Sequence, residues 1–243
     1  MSGVSLKLSW AIFRGGLRLI YEYFGTVIIT SFLWFAIGLA PLIVITLTKT
    51  ATIPAVFVIA IVATLFTLGP ATAAAYDTIA RVINREIFSL GDFFRGFRKY
   101  FGRATGLMTI IAVVWAILIL DVYFYLYVFQ GPAIITMAVL ILTFYIVVFW
   151  LLMSNWLFPV LVQRPRKIKM ILKQAALLAL DNLVVSLMIT LMVLLVFLVS
   201  LLLQVGLILL LIGSIAIFQN FGFLKVLEKY QKKEEAEAEN SGQ

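Results

Sequence analysis

The sequence contains neither cysteine nor histidine among its 243 residues. Without cysteine the chain has no disulfides, no thiolate nucleophile and no cysteine-ligated zinc or iron–sulfur centre. Without histidine it lacks the commonest metal ligand and the side chain that titrates near neutral pH. Phosphate-binding glycine loops, Gly-x-Ser-x-Gly turns and His-Glu-x-x-His motifs are also missing. We therefore expect no enzyme activity, no metal site and no cofactor.

Charged residues are scarce as well. They make up 12% of the chain against 64% hydrophobic residues, and the mean hydropathy is +1.13. This composition leaves too little polar surface to cover a water-soluble globule, so we predict an all-α, polytopic membrane helix bundle. The net charge of +8 is concentrated beside apolar stretches. Anionic lipid headgroups, and not nucleic acid, are therefore the expected partner.

Charge-free stretches predict six transmembrane helices, because about 20 helical residues are needed to cross a hydrocarbon core of about 30 Å. The charge-free run from Asn182 to Leu224 must fold back, and its turn is placed near Gln204 and Gly206. The six predicted spans form one transmembrane domain over residues 1–228, and the polar residues 229–243 are predicted to be a disordered tail. The spans cover about 24–47, 53–69, 106–127, 133–162, 183–203 and 205–224.

Basic residues predict the orientation, because loops rich in Lys and Arg stay cytoplasmic. Of the 19 basic residues, 18 fall on one side of the six-span arrangement, and only Lys49 falls on the other. We therefore expect a multi-pass membrane protein with both termini in the cytoplasm. The 18 residues are Lys7, Arg14, Arg18, Arg81, Arg85, Arg95, Arg98, Lys99, Arg103, Arg164, Arg166, Lys167, Lys169, Lys173, Lys225, Lys229, Lys232 and Lys233.

Three basic amphipathic segments, at residues 6–21, 89–103 and 167–180, are predicted to be interfacial helices at the membrane surface. In the second segment, Ser89 and Asp92 have the spacing of a capping box. Aromatic and basic side chains of this segment form a candidate surface for docking lipids or a partner. They are Phe93, Phe94, Phe97, Arg95, Arg98, Lys99 and Arg103.

Small residues near the inner ends of two spans predict close helix packing. Pro70 is expected to start a new helix after the second span, because a first-turn proline loses no hydrogen bond. The predicted packing residues are Pro70, Ala71, Thr72, Ala75, Gly102 and Gly106.

Asp121 lies inside a predicted span, which makes it a candidate functional residue. At 1.5 Å per residue from Gly106, it is expected close to the outer boundary of the hydrocarbon core. Lys49, the only outer cation, is its expected partner. Two interpretations stay open: an ion pair that closes the outer ends of spans one and three, or a substrate or proton site.

Other polar residues near the inner ends of the spans have structural explanations. Trp150, Asn155 and Trp156 are interpreted as an interfacial aromatic belt, with stacking on a sugar as the alternative. Asp181 and Asn182 are expected to cap the fifth span. Two acidic residues are expected to pair with a cation four positions away on their own helix, namely Glu22 with Arg18 and Asp77 with Arg81.

Two segments carry a resemblance to a known family. The stretch from Gly69 to Tyr76, with its Pro-Ala-Thr sequence, and the motif Asp92-Phe93-Phe94-Arg95-Gly96-Phe97 resemble the YesL family of bacterial membrane proteins, which carry a domain of unknown function. The resemblance extends from about Gly15 to Glu228. It implies an integral membrane location in bacteria and a loose association with uptake or use of plant-derived oligosaccharides. It implies no established reaction and supplies no catalytic residue.

We therefore expect a non-enzymatic accessory or assembly component of a carbohydrate uptake system, with ABC transporter components as partners. A lipid-binding membrane scaffold is one alternative. A small secondary transporter or channel is another, and hydroxyl groups would have to line its path: Thr30, Ser31, Thr64, Thr143, Ser186, Thr190 and Ser214. The sequence leaves the substrate, the trigger and the oligomeric state, including a homo-oligomer, undetermined.

Overall fold

The computed structural model of the chain describes residues 2–50, 53–86, 89–164 and 167–241. Regular structure in these ranges is helical, which confirms the predicted all-α class. Arg166, one of the predicted inner cations, lies outside the described residues. The helices are α1 (Ser2–Glu22), α2 (Phe24–Gly38), α3 (Ala40–Leu47), α4 (Pro54–Ile83), α5 (Leu90–Tyr123), α6 (Ala133–Gln163), α7 (Ile168–Asp181), α8 (Leu183–Leu202), α9 (Gly206–Leu209) and α10 (Leu211–Ser241).

Within the described residues, five helices are long and apolar enough to cross a membrane. They are α4, α5 with the π-helical turn Phe124–Val128 that extends it, α6, α8 and α10. A sixth span is formed if α1 and α2, which are bent by 85° relative to each other, are counted as one. By helix length and hydropathy, the chain is a multi-pass membrane protein.

The predicted first span, 24–47, is divided in the structure. α2 and α3 are separated by Leu39, which has φ −99° and ψ 7°, and Pro41 lies in the first turn of α3. A proline at this position favours a new helix start, because a first-turn N–H has no intrahelical partner. α2 alone has 15 residues, or about 22 Å of helix, which is shorter than a hydrocarbon core.

α2 instead bridges α10 and α4. The backbone N–H of Gly213 donates to Ser31 Oγ over 3.0 Å. Farther along α2, Trp34 Nε1 donates to Thr72 Oγ1 over 2.9 Å. A Cβ on Gly213 would lie 2.7 Å from the carbonyl oxygen of Val27, so the absent side chain is what lets α10 approach α2.

α4 and α5 are longer than the spans predicted from them. Pro70 lies inside α4, so the expectation that it starts a new helix is wrong. Neighbouring helices can compensate for a proline within a transmembrane helix, and α4 is packed on several sides here. The segment 89–103 is likewise the first part of α5 and not a separate interfacial helix. Its capping box is confirmed: the Ser89 N–H donates to Asp92 Oδ2 over 3.2 Å.

The turn after α8 includes Gln204, whose φ of 49° places it in the left-handed region, within the segment where the sequence predicts a turn. α10 then continues to Ser241, so the described residues 229–241 are helical where the sequence predicted disorder. Glu, Ala and Lys favour helix in this stretch, and Lys233 and Glu237 pair at 3.5 Å with i,i+4 spacing.

α1 packs along α8 and α10 instead of lying only on a membrane surface. Ile12 and Gly16 are buried, and a Cβ on Gly16 would lie 2.5 Å from the ring of Phe218 on α10. Trp10, on another face of α1, remains exposed. The buried core lies where α1, α4, α5, α6, α7, α8 and α10 converge, whereas the outer parts of α5 and α6 expose most of their apolar side chains.

Candidate functional site

The candidate site is centred on Tyr76 and Asp77, two adjacent polar residues of α4. Their exposed fractions are only 3% and 5%. Successive side chains of a helix point about 100° apart, so the two residues contact different neighbours. Asp77 faces α5 and Tyr76 faces α10. One turn of α4 therefore organises two separate groups of polar contacts.

α5 comes very close to α4 beside Asp77. A Cβ on Gly96 would lie 3.3 Å from Ala74 Cα and 3.5 Å from Asp77 Cβ. Phe93 and Tyr100 share this face of α5, because three and four residues make about one helical turn, and both are buried. The glycine of the Asp-Phe-Phe-x-Gly-Phe motif thus permits the close approach of α5 to the aspartate.

The Asp77 carboxylate is held by three side chains. Tyr100 Oη donates to Asp77 Oδ1 over 2.9 Å, and Arg81 Nε donates to Asp77 Oδ2 over 2.9 Å. Lys99 Nζ lies 3.7 Å from Asp77 Oδ1. A buried carboxylate is strongly unfavourable unless cations and hydrogen-bond donors surround it, and these groups supply both. The predicted Asp77–Arg81 pair is confirmed, but it is only one part of this arrangement.

A polar cleft of about 350 Å³ opens beside Asp77. Arg81 extends the charge network along it, since Arg81 Nη1 lies 3.6 Å from Glu86 Oε2 and 3.9 Å from Asp92 Oδ1. Gln163 of α6 also lines the cleft. The cleft therefore presents both signs of charge at the junction of α4, α5 and α6.

Tyr76 begins a buried chain of hydrogen bonds that joins four helices. Its hydroxyl donates to Gln219 Oε1 on α10, and Gln219 Nε2 donates to Asn155 Oδ1 on α6 over 2.9 Å. Asn155 Nδ2 in turn donates to Thr190 Oγ1 on α8 over 2.7 Å. A second branch runs from Gln163 Nε2 to Asn220 Oδ1 over 2.8 Å, and Asn220 Nδ2 donates to the Tyr76 carbonyl over 3.1 Å. Because these groups satisfy each other, burying them is tolerated.

The predicted aromatic belt at Trp150, Asn155 and Trp156 is wrong. Asn155 belongs to the buried chain of hydrogen bonds, and Trp156 is 0% exposed. Trp156 Nε1 donates to Ser186 Oγ over 2.9 Å. All three residues lie inside the bundle, so they present no open ring face on which a sugar could stack.

The predicted ion pair between Lys49 and Asp121 is not formed by the described residues. Asp121 Oδ2 instead accepts a hydrogen bond from Thr143 Oγ1 over 2.6 Å. Lys49 is exposed in the turn after α3, with a left-handed φ of 56°. α3 and α5 both pack against α4. A substrate or proton site at Asp121 stays a prediction.

The predicted docking residues are divided between two faces of α5. Phe93 is 0% exposed and packs in the core, so placing it on the docking surface is wrong, whereas Phe94 is 54% exposed. The side chains of Phe93 and Phe94 point about 100° apart around the helix, so that of Phe93 lies toward the core and that of Phe94 lies away from it. Phe97 is half-buried, Lys99 reaches Asp77 and Arg103 is exposed. The exposed side chains on the face opposite the core define the α5 outer face: Phe94, Arg95, Arg98 and Phe101.

The predicted packing residues Pro70, Ala71, Thr72 and Ala75 are all buried in α4. A Cβ on Gly106 would lie 2.8 Å from Ile168 Cδ1, so Gly106 contacts α7. Gly102 is exposed, and no atom lies within 4 Å of the position its Cβ would occupy. Its assignment to helix packing is therefore wrong, because it points away from the bundle.

The remaining predicted pair and cap are not formed by the described residues. Glu22 and Arg18, both exposed at the end of α1, make no ion pair, and an exposed pair of this kind would add little stability. Asn182 occupies the N-cap position of α8 without a side-chain cap bond. Its amide instead donates to Tyr230 Oη over 2.7 Å and accepts from Lys229 Nζ over 3.0 Å.

Sequence reasoning missed Tyr76, Tyr100, Gln219 and Asn220. The signal that could have found the last two is the pair of adjacent amides within the otherwise apolar sixth span, since such groups need buried partners. Tyr100 lies one helical turn beyond the family-like glycine motif, on the same side as Phe93.

The fold and the site define a class: an all-helical, multi-pass membrane protein whose spans are joined by buried polar contacts near one end. Residues 27–122 match the family described as "Protein of unknown function, DUF624". The resemblance to the YesL family is thereby confirmed for this range, which contains Asp77 and both motif segments. No match was found among curated proteins or solved structures.

Proposed function

We propose that this protein is a non-enzymatic accessory component of a carbohydrate uptake system in a bacterial cytoplasmic membrane. Its α5 outer face would dock an ABC transporter component on the cytoplasmic side. The observation that carries this proposal is that α5 fixes one face in the bundle and leaves arginine and phenylalanine exposed on the other. The association with carbohydrate uptake derives from the family resemblance alone.

The α5 outer face has the composition of a protein-binding surface. Phe94 and Phe101 are 54% and 43% exposed, and Arg98 makes no ion pair within the described chain. Arginine and aromatic residues dominate the binding energy of many interfaces. The arginines also disfavour burial of this turn in hydrocarbon, which supports a position at or beyond the membrane boundary.

The hydroxyl groups that a transporter would need do not favour a hydrated path in this arrangement. Most of them are engaged in hydrogen bonds. Thr64 donates to its own helix, Thr143 donates to Asp121 and Ser31 accepts from Gly213. Ser186 and Thr190 bond within the chain that includes Asn155. These contacts support the accessory function over the transporter alternative.

The proposal is tested by affinity purification in mild detergent from a bacterial host that encodes this protein. The unaltered protein should recover ABC transporter subunits. The double variant Arg95→Gln/Arg98→Gln should recover about tenfold less, which corresponds to about 1.4 kcal/mol of binding energy. The double variant Lys232→Gln/Lys233→Gln removes the same charge from α10 and should recover as much as the unaltered protein.

Equal recovery by both double variants would contradict docking on the α5 outer face. Sugar flux into proteoliposomes that contain only this protein would overturn the accessory function in favour of transport. If no subunit is recovered while Arg95→Gln/Arg98→Gln loses binding to anionic vesicles, the lipid-scaffold alternative replaces the proposal.

A further inference from the structure

A second cavity, separate from the Asp77 cleft, lies between the end of α6, α7 and α10. Its volume is about 190 Å³ and it opens to the surface. Leu178, Phe223 and Leu227 give it apolar walls. Arg164, Gln174 and Asp181 give it a polar lining. This cavity combines an apolar interior with groups of both charge signs, which is the character of an amphiphile-binding site.

Two side-chain groups of this cavity have no hydrogen-bond or ion-pair partner among the described residues. Gln174 Oε1 is buried and accepts no hydrogen bond within the described chain. A buried acceptor without a donor is costly and is rare in folded proteins. Arg164 and Asp181 are exposed and form no ion pair among the described residues. Among the described residues, the cavity therefore has an unpaired acceptor on Gln174, an unpaired cation on Arg164 and a carboxylate on Asp181 that interacts with the Tyr230 hydroxyl, all around one apolar space.

We propose that this cavity binds the headgroup of a phosphoethanolamine lipid. The lipid phosphate pairs with Arg164, for which the guanidinium fork is well suited. The ammonium group lies between Asp181 and Gln174 Oε1 and supplies the missing donor. The apolar walls accept the first part of the acyl chains. A choline headgroup has the same charges but no N–H donor, and a glycerol headgroup has donors but no cation.

The location of the cavity is consistent with a lipid headgroup. Arg164 follows α6, which is itself long and apolar enough to cross a membrane. Asp181 ends α7 shortly before α8, which is also of span length. Tyr230 also lines the cavity, and its hydroxyl accepts from Asn182 Nδ2. The α5 outer face contributes nothing to this cavity, so the inference stands independently of the accessory function.

Native mass spectrometry of the purified protein with dioleoyl phosphatidylethanolamine, phosphatidylcholine and phosphatidylglycerol tests the proposal. The unaltered protein should retain phosphatidylethanolamine about tenfold more strongly than either other lipid, as expected for one additional charge-assisted hydrogen bond. This comparison requires no variant, so folding defects cannot affect it. Equal retention of all three lipids, or a preference for phosphatidylglycerol, would overturn the proposal.

Variants of the polar lining then locate the site. Arg164→Gln, Gln174→Leu and Asp181→Asn should each reduce phosphatidylethanolamine retention about tenfold. Lys173→Gln and Gln231→Leu change exposed residues of α7 and α10 that do not line the cavity, and both should retain the lipid as the unaltered protein does. If none of the three lining variants reduces phosphatidylethanolamine retention, the lipid binds elsewhere and the proposal for this cavity is refuted.

Discussion

Asp77 is the residue on which the polar centre depends. Its carboxylate accepts from Tyr100 of α5 and from Arg81 of its own helix, and both contacts measure 2.9 Å. Arg81 and Lys99 retain some access to solvent, with side chains 29% and 50% exposed. Water can therefore compensate these cations in part if the carboxylate is lost, whereas the buried Tyr100 hydroxyl would keep only its longer contact with the Val162 carbonyl oxygen, at 3.2 Å.

Replacing Asp77 should destabilise the protein measurably. We expect Asp77→Ala to lower the free energy of unfolding by about 2 kcal/mol, because the two cations lose their buried anion and the Tyr100 hydroxyl keeps only the Val162 carbonyl as an acceptor. Asp77→Asn keeps an acceptor oxygen and should cost about half as much. Unfolding in mixed micelles with increasing sodium dodecyl sulfate measures both.

Glu86→Gln is the matched control, because it removes a carboxylate from the same arginine at an exposed position. Its effect should stay below about 0.5 kcal/mol, as is usual for surface pairs. Equal losses for Glu86→Gln and Asp77→Ala would contradict a special contribution from burial.

At the scale of elements, α4 and α5 pack closely against each other at the site. Contact extends from Gly96 beside Ala74 to Gly69, where a Cβ would lie 2.7 Å from the carbonyl oxygen of Ala104. A side chain there must push apart two helix backbones, since the opposing atom belongs to the main chain. The short distance between α4 and α5 therefore depends on glycine at these positions, because glycine has no side chain.

Gly69→Ala and Gly102→Ala should have opposite effects. Gly69→Ala should lower the free energy of unfolding by about 1–3 kcal/mol through overpacking against α5. Gly102 lies on the same helix pair but has open space around its Cβ position, so Gly102→Ala should stabilise α5 by up to about 1 kcal/mol. Unfolding midpoints of the two variants, measured in the same detergent, test this difference. Destabilisation by both substitutions would contradict the assignment of Gly69 to close packing and of Gly102 to open space.

At the scale of the whole molecule, the number of spans depends on how α1 and α2 are arranged. Their bend of 85° allows either five spans or six within the described residues. An even number places both termini on one side, and an odd number places them on opposite sides. The concentration of Lys and Arg in alternate connections favours the even number with both termini inside.

Labelling of single cysteines tests this orientation, and the chain has no native cysteine to interfere. An impermeant maleimide added to intact cells should label Lys49→Cys only. Arg98→Cys, Lys7→Cys and Lys233→Cys should react only after the membrane is permeabilised. External labelling at both position 7 and position 49, with positions 98 and 233 protected, would indicate five spans. Protection of position 49 with external labelling at position 98 would indicate an inverted protein.

The sequence by itself determined that the chain lies in a lipid membrane, that it is helical and approximately where its spans are, because hydropathy and helix length are properties of contiguous residues. The Ser89–Asp92 capping box and the Asp77–Arg81 pair were predictable for the same reason, since each joins residues three or four apart. The continuity of α4 through Pro70 was not predictable from the sequence, because neighbouring helices decide whether a proline interrupts a span.

Only the tertiary structure decided which polar groups meet. Tyr76 and Gln219 are 143 residues apart in the sequence, and their contact exists only after α4 and α10 have packed. Packing likewise separated buried Phe93 from exposed Phe94 and placed Trp156 inside the bundle. Hydropathy cannot distinguish a side chain that faces lipid from one that faces another helix, because both surroundings are apolar. For this chain, the site was therefore decided by helix packing.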